Sequence, residues 1–230
     1  MAAYQLDLSR LTLDWLLRVL QTTRLLPSEA ILAEQTERRL AALSDRGYGN
    51  LADLVSALAT PRKVDALARE LDLPARFLTV LRRKIGAYQR KPVRLVDLPA
   101  VPVAVADALA GVGLHDSRQL FDRLRGAGHG PRAGLLALSE EAGVDVEVLS
   151  RILGVCDFLR GPYVGPAFAE LLWQAGFREL GDLRALAPDE LHDRLVAANA
   201  ASRCYGQAVP GGEDMRSWLV MVDEVVSGTA

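Results

Sequence analysis

A twelve-residue string that occurs three times constrains this chain more than any other feature. LSDRGYGNLADL (43–54), LAGVGLHDSRQL (109–120) and LWQAGFRELGDL (172–183) align without a gap. Gly47, Gly113 and Gly176 coincide, as do Leu54, Leu120 and Leu183. Each copy reads as the same local event: a helix ends, a glycine takes the left-handed conformation past its C-terminus, one large apolar residue follows, and a short new helix starts. Tyr48, Leu114 and Phe177 hold the apolar place. Asn50 and Asp116 stand where they cap the new helix, whereas Arg178 in the third copy cannot.

The first two copies continue to match. VDALARELDLPARFLTVLRRKI (64–85) aligns with LLALSEEAGVDVEVLSRILGVC (135–156), pairing Leu67, Leu73 and Leu78 with Leu138, Val144 and Leu149. Pro74 and Asp145 open the second helix of each. The third copy keeps the first half and then runs DLRALAPDELHDRLVAAN, with Pro188, Asp189 and Glu190 as a helix start. Units this small cannot bury their own apolar faces and must stack on a neighbour. The expected fold is therefore all-α: three degenerate repeats stacked together, with N- and C-terminal capping helices. Leu11, Trp15, Leu16, Val19 and Leu20 give the first helix, capped by Ser9 or Thr12. Pro27 breaks the chain, and Ser28 caps a second helix carrying Ile31, Leu32, Leu40 and Leu43 as far as Gly47. A loop follows Asn199, and a last helix spans Trp218 to Val226. KPVRLVDLP is the best boundary, which divides the chain into 1–91 (N-terminal helix, first repeat and basic tract), 92–160 (second repeat) and 161–230 (third repeat and last helix).

Composition agrees with helices. Half of the residues are hydrophobic, mostly Leu, Ala and Val, and only 6% are aromatic. The start MAAYQLDLSR does not read as a signal peptide, and no apolar run reaches the ~18 residues of a membrane span. The expectation is a cytoplasmic protein with no membrane partner. Cys156, inside ILGVCDFL, reads as a buried free thiol, and Cys204 lies in a polar loop.

GPYVGPAFAELLWQAGFRELGDLRALAPDELHDRL (161–195) resembles the helix-hairpin-helix superfamily, and LPAVPVAVADALAGVGLHDSRQLFDRL (98–124) is similar in a weaker form. More narrowly, the chain resembles an uncharacterised bacterial family of such repeats, a domain of unknown function, over about Leu32 to Asn199. The superfamily resemblance implies binding to the nucleic-acid backbone without sequence readout, through a glycine turn whose amides approach a phosphate. Carried over, that turn is Val164, Gly165 and Pro166, followed by Ala167 and Phe168 where DNA-binding members place Lys or Arg. Its counterparts are Val101, Pro102 and Val103 in the second copy and Gln35, Thr36 and Glu37 in the first, so the glycine persists only at Gly165.

The net charge of −2 hides an uneven distribution. Residues 60–94 hold ten basic and three acidic side chains, whereas 161–230 hold five arginines and ten carboxylates. Within the first window, RRKIGAYQRKPVR gathers Arg82, Arg83, Lys84, Arg90, Lys91 and Arg94 around Tyr88 with no acid. This tract reads as a surface for nucleic acid or for an acidic partner, or as a helix end whose cations complement its dipole. GAGHGPRAG (126–134) lacks the strand and the Lys-Ser/Thr ending of a phosphate loop and reads as a connector. Asp189 and His192 share a helix face, but the acidic helix start already accounts for the carboxylate. No catalytic motif, metal set or cofactor signature stands out. The first expectation is thus a non-enzymatic binding or scaffold protein, with a protein partner or self-association. A nucleic-acid backbone binder using the basic tract and the Gly165 turn is the alternative, and an enzyme comes last.

Overall fold

The computed structural model describes residues 4–89, 91–125 and 131–228. Among them there is no β-strand; the chain is all-helical, and Arg94 and Asp116 form one isolated antiparallel bridge. It divides into two compact units, Asp7–Gln89 and Arg90–Ala230, the latter including Met1–Leu6. Residues 92–160 and 161–230 thus share one unit.

In the N-terminal unit a 3-10 turn, Leu8–Arg10, leads into α1 (Leu13–Thr22), whose cap is Thr12, its hydroxyl accepting from the Trp15 N–H. α1 buries Leu13, Trp15, Leu16, Val19 and Leu20, and it packs on α2 (Thr36–Asp45). α3 (Leu51–Ala57), α4 (Pro61–Leu71) and α5 (Ala75–Gly86) complete the unit, and α5 rests on the 3-10 turn Pro27–Leu32 as well as on α3 and α4.

The continuous helix expected from Ser28 to Gly47 is two elements. The 3-10 turn ends at Leu32, and Gln35 adopts φ +49°, which interrupts the hydrogen-bond ladder before α2. Ser28 is not the cap, since Leu26 precedes the first helical residue, Pro27.

The C-terminal unit holds the 3-10 turn Leu95–Asp97, α6 (Val103–Gly111), α7 (Ser117–Arg125), α8 (Pro131–Ala142), α9 (Val146–Phe158) and α10 (Pro166–Gln174). The 3-10 turn Leu180–Leu183, α11 (Pro188–Ser202) and α12 (Gly212–Gly228) follow. α9 is its centre: residues 152–160 are all buried, and the helix packs on α7, α8 and α10. α12 is longer than Trp218 to Val226, closes over α11 and the turn 180–183, and buries Met215, Trp218, Met221, Val222 and Val225. Tyr4 packs edge-on against Phe121 at 5.6 Å, and its hydroxyl lies 2.6 Å from the buried Ser117 Oγ.

The recurrence is visible in the backbone. Gly47, Gly113 and Gly176 have φ of +104°, +83° and +91°. At each, the glycine N–H bonds to the carbonyl three residues back (Ser44, Ala110, Trp173), and the next N–H bonds five residues back (Leu43, Leu109, Leu172). This pairing satisfies carbonyls that a helix end leaves open. A second recurrence lies deeper in the first two copies. Asp72 and Gly143 align, both are left-handed, and Leu73 and Val144 each donate to the carbonyl five residues back. Asn50 caps α3, Asp116 accepts from the Arg118 and Gln119 N–H groups, and Asp145 caps α9. In the third copy the cap comes from within the new turn: Asp182 accepts from the N–H groups of Arg178 and Glu179, and the element is 3-10 rather than α.

Candidate functional site

The basic tract is divided between the two units. Arg82, Arg83, Lys84 and Tyr88 belong to the N-terminal unit, Lys91 and Arg94 to the C-terminal one, and Arg90 lies outside the described residues. Lys84 is only 3% exposed, and its Nζ lies 3.2 Å from Glu29 Oε2, itself 7% exposed. Tyr88 is 2% exposed and meets the edge of Trp15 at 5.2 Å. Both are thereby removed from the solvent-facing set that the charge run suggests. Helical spacing accounts for this: Lys84 and Ile85 lie three and four residues after Leu81 on the stripe of α5 that faces the core, and Tyr88, just past the helix end, is buried beyond them. Arg82 and Arg83 point to solvent, as do Lys91 and Arg94, the latter 3.9 Å from Asp97.

The three hairpin turns each precede a helix, but they are built differently. Val164 is fully buried, while Gly165 and Ala167 are half-buried. Gly165 is the extended cap of α10 with φ −97°, and a Cβ there would meet nothing within 4 Å. Neither space nor backbone conformation therefore demands glycine at this turn. The constrained position is Gly161, where a Cβ would lie 3.0 Å from Val164 Cγ2 and 3.1 Å from the Phe158 carbonyl. Around it a buried ion pair organises the turn. Asp157 accepts from Arg160 at 2.5 Å and from the Leu180 N–H at 2.6 Å, and the Arg160 guanidinium lies 4.5 Å from the Phe121 ring centre. Trp218 Nε1 donates to the Pro162 carbonyl at 2.8 Å. The sequence signal for this pair is DFLR, an acid and a base three residues apart inside an apolar run.

In the second turn Val101 is buried, Pro102 caps α6, and Val103 is 64% exposed. α6 is VAVADALAG, apolar on every side except for Asp107, yet it buries only Ala106 and Leu109 against its neighbours, the turn 95–97 and α8. Val103 and Ala104 face solvent, as does Val96 of the adjoining 3-10 turn. An all-round apolar helix is ordinarily covered on all sides.

His192 Nδ1 lies 2.7 Å from the Pro210 carbonyl, and no group of three metal-ligating side chains occurs among the described residues. Of the stretch Gly126–Gly134 that the sequence reads as a connector, residues 126–130 lie outside the described residues, and 131–134 are not loop but the start of α8. Both cysteines are free. Burial pushes the Cys156 thiol well above its ordinary range, and the Asp157 and Asp116 carboxylates add to the shift, while Cys204 is half-exposed beside Ser202. Thiolate is the reactive form. Ellman's reagent at pH 8 is thus expected to titrate one thiol in the native protein, lost in Cys204→Ser, and two in guanidinium chloride. Two fast thiols in the native protein would contradict the burial of Cys156.

No helix of the described residues is long and apolar enough to cross a membrane. No curated protein and no solved structure matches the chain. The family described as Domain of unknown function (DUF4332) matches residues 103–221, from the first residue of α6 into α12. That stretch is more than half of the 230 residues and takes in the second and third copies of the repeat together, and the chain belongs to the DUF4332 family.

Proposed function

We propose that this chain is a non-enzymatic binding or scaffold protein that presents helix faces to a protein partner. The observation that carries the reading is α6, whose outer face exposes Val103 (64%) and Ala104 one turn from Asp107 and stands where a helix-hairpin-helix protein would set its phosphate turn. Pro102 at that turn has no N–H to offer an anion, and an apolar side chain stands in place of a cation. Such a surface gains by being covered with another apolar surface, at about 25 cal/mol per Å² removed from water. The glycine caps shared by all three copies support descent from helix-hairpin-helix repeats, with the hairpin retained as structure. The same reading takes the protein to be cytoplasmic and bacterial.

The test is capture of partners from the native cell with the full chain and with Val103→Glu, together with light scattering to detect self-association. The wild type is expected to hold a reproducible partner or a second copy, and the variant to lose it by at least about tenfold, since a carboxylate buried in an apolar contact costs more than 1.4 kcal/mol. A wild-type monomer with no specific partner, or capture that Val103→Glu leaves unchanged, would count against the proposal.

A further inference from the structure

We infer that the segment 4–6 is a latch that pins the base of the loop carrying α6, and thereby fixes the position of the α6 face. α6 has little else to hold it. Nine residues long, it buries only Ala106 and Leu109, and it packs on the turn 95–97 and on α8. The loop that carries it, 93–117, is instead closed at its base. The Ser117 N–H donates to the Val93 carbonyl at 2.8 Å, the Val93 N–H donates to Ser117 Oγ at 3.0 Å, and the Leu95 N–H donates to the His115 carbonyl at 2.9 Å. With the bridge between Arg94 and Asp116, these bonds join 93–95 to 115–117.

Tyr4 locks that closure. Its hydroxyl lies 2.6 Å from the same Ser117 Oγ, and its ring stands edge-on to Phe121 at 5.6 Å. Tyr4, Leu6, Ser117 and Phe121 are all buried, so a single hydroxyl shielded from water joins the latch to the base of the loop. The far side of the slot is firmly held. The Arg160 guanidinium lies 4.5 Å from the centre of the Phe121 ring, and Asp157 fixes Arg160 at 2.5 Å and the Leu180 N–H at 2.6 Å. The base of the loop, by contrast, rests on the few bonds just named. When Tyr4 leaves, Ser117 Oγ keeps the Val93 N–H, so opening leaves that amide paired, and the latch can release without unfolding the unit. The next residue, Asp7, belongs to the N-terminal unit, and the chain returns at Arg90, shortly before Val93. Both covalent links to that unit therefore lead to Ser117. The regulatory meaning of the latch rests on the reading of α6 as the partner face; the latch itself does not.

Hydrogen exchange of the full chain tests the latch without any partner. In Tyr4→Ala the amides of Val93, Leu95 and Ser117 should exchange at least about tenfold faster than in the wild type, while those of α11 and α12 keep their rates. Tyr4→Phe keeps the ring on Phe121 and loses the hydroxyl, and it should speed the same amides by only about three- to tenfold. Tyr4→Phe added to Ser117→Ala should cost nothing further, because either change alone removes the bond between the two side chains. Where the wild type captures a partner, Tyr4→Ala should weaken that capture about three- to tenfold, since the loosened loop must then be ordered on binding. A wild type with no partner sinks the partner face, while the exchange rates still decide the latch. The inference is overturned by unchanged exchange at 93–95 and 115–117 in Tyr4→Ala, by acceleration that spreads evenly over α11 and α12, or by a partner that Tyr4→Ala holds as tightly as the wild type.

Discussion

Lys84→Met is expected to destabilise the N-terminal unit by about 3–5 kcal/mol, the cost of leaving one charge of a buried pair without its partner. Lys84 Nζ and Glu29 Oε2 are 3.2 Å apart, and the two side chains are 3% and 7% exposed. Glu29 does a second task, since Oε2 also accepts from the Leu26 N–H at 3.2 Å and so holds the start of the 3-10 turn against α5. With Lys84 gone, the carboxylate keeps one amide and no cation in a site closed to water. Arg39 cannot readily take over, because its guanidinium bonds the Ile31 carbonyl, pairs with Glu34 and lies 5.0 Å from the Phe77 ring. The double variant Lys84→Met/Glu29→Gln should recover most of the loss, as the amide oxygen still accepts from Leu26 and no charge remains buried. Urea denaturation gives the magnitude, and hydrogen exchange gives the place. Amides of α5 should lose protection while those of α9 and α10, in the other unit, keep theirs. A loss below about 1 kcal/mol, or a double variant no better than the single one, would mean that the pair is solvated in solution.

How far the sequence discloses such features depends on their range along the chain. The glycine caps were legible because a left-handed residue after a helix is a local requirement, fulfilled within six residues at Gly47, Gly113 and Gly176. The register of the first two copies was legible for the same reason, and Asp72 and Gly143 share a backbone conformation despite different side chains. The break at Gln35 was not, because Ile31, Leu32, Leu40 and Leu43 keep a helical spacing across it. Nor does a run of basic residues disclose that one member points inward. Glu29 lies 55 positions from Lys84, and only the helical phase of α5 hints at which cation turns to the core. The same holds for Asp157 and Arg160, whose run of apolar neighbours predicts burial but not that the polar pair is buried with them. The exposed face of α6 is the converse case: composition alone suggests a covered helix, and the structure leaves one side of it open.

Gly154→Ala is expected to cost the C-terminal unit about 1–3 kcal/mol through overpacking, although alanine at a helix interior ordinarily gains up to about 1 kcal/mol over glycine. A Cβ on Gly154 would lie 2.4 Å from Trp173 Cζ3 and 2.7 Å from the Arg178 carbonyl. Trp173 has little freedom to retreat, because the Arg178 guanidinium stacks 4.2 Å from its ring and also donates to the Phe177 carbonyl at 2.9 Å. The Arg178 carbonyl belongs to the backbone that leads into the turn 180–183, so relief requires moving α10 and that turn away from α9, the centre of the unit. Glycine here is a matter of close approach rather than of backbone conformation, which is why the string ILGVCDFL gives no sign of it. Gly86→Ala supplies the contrast. Gly86 is the last residue of α5, a Cβ there would meet nothing within 4 Å, and the substitution should be neutral or stabilising by up to about 1 kcal/mol. Trp173→Leu combined with Gly154→Ala should restore part of the loss but not all, since the backbone carbonyl remains in place. Full restoration would assign the clash to the indole alone. A Gly154→Ala variant as stable as the wild type in urea would show that α9 and α10 stand further apart than these distances require.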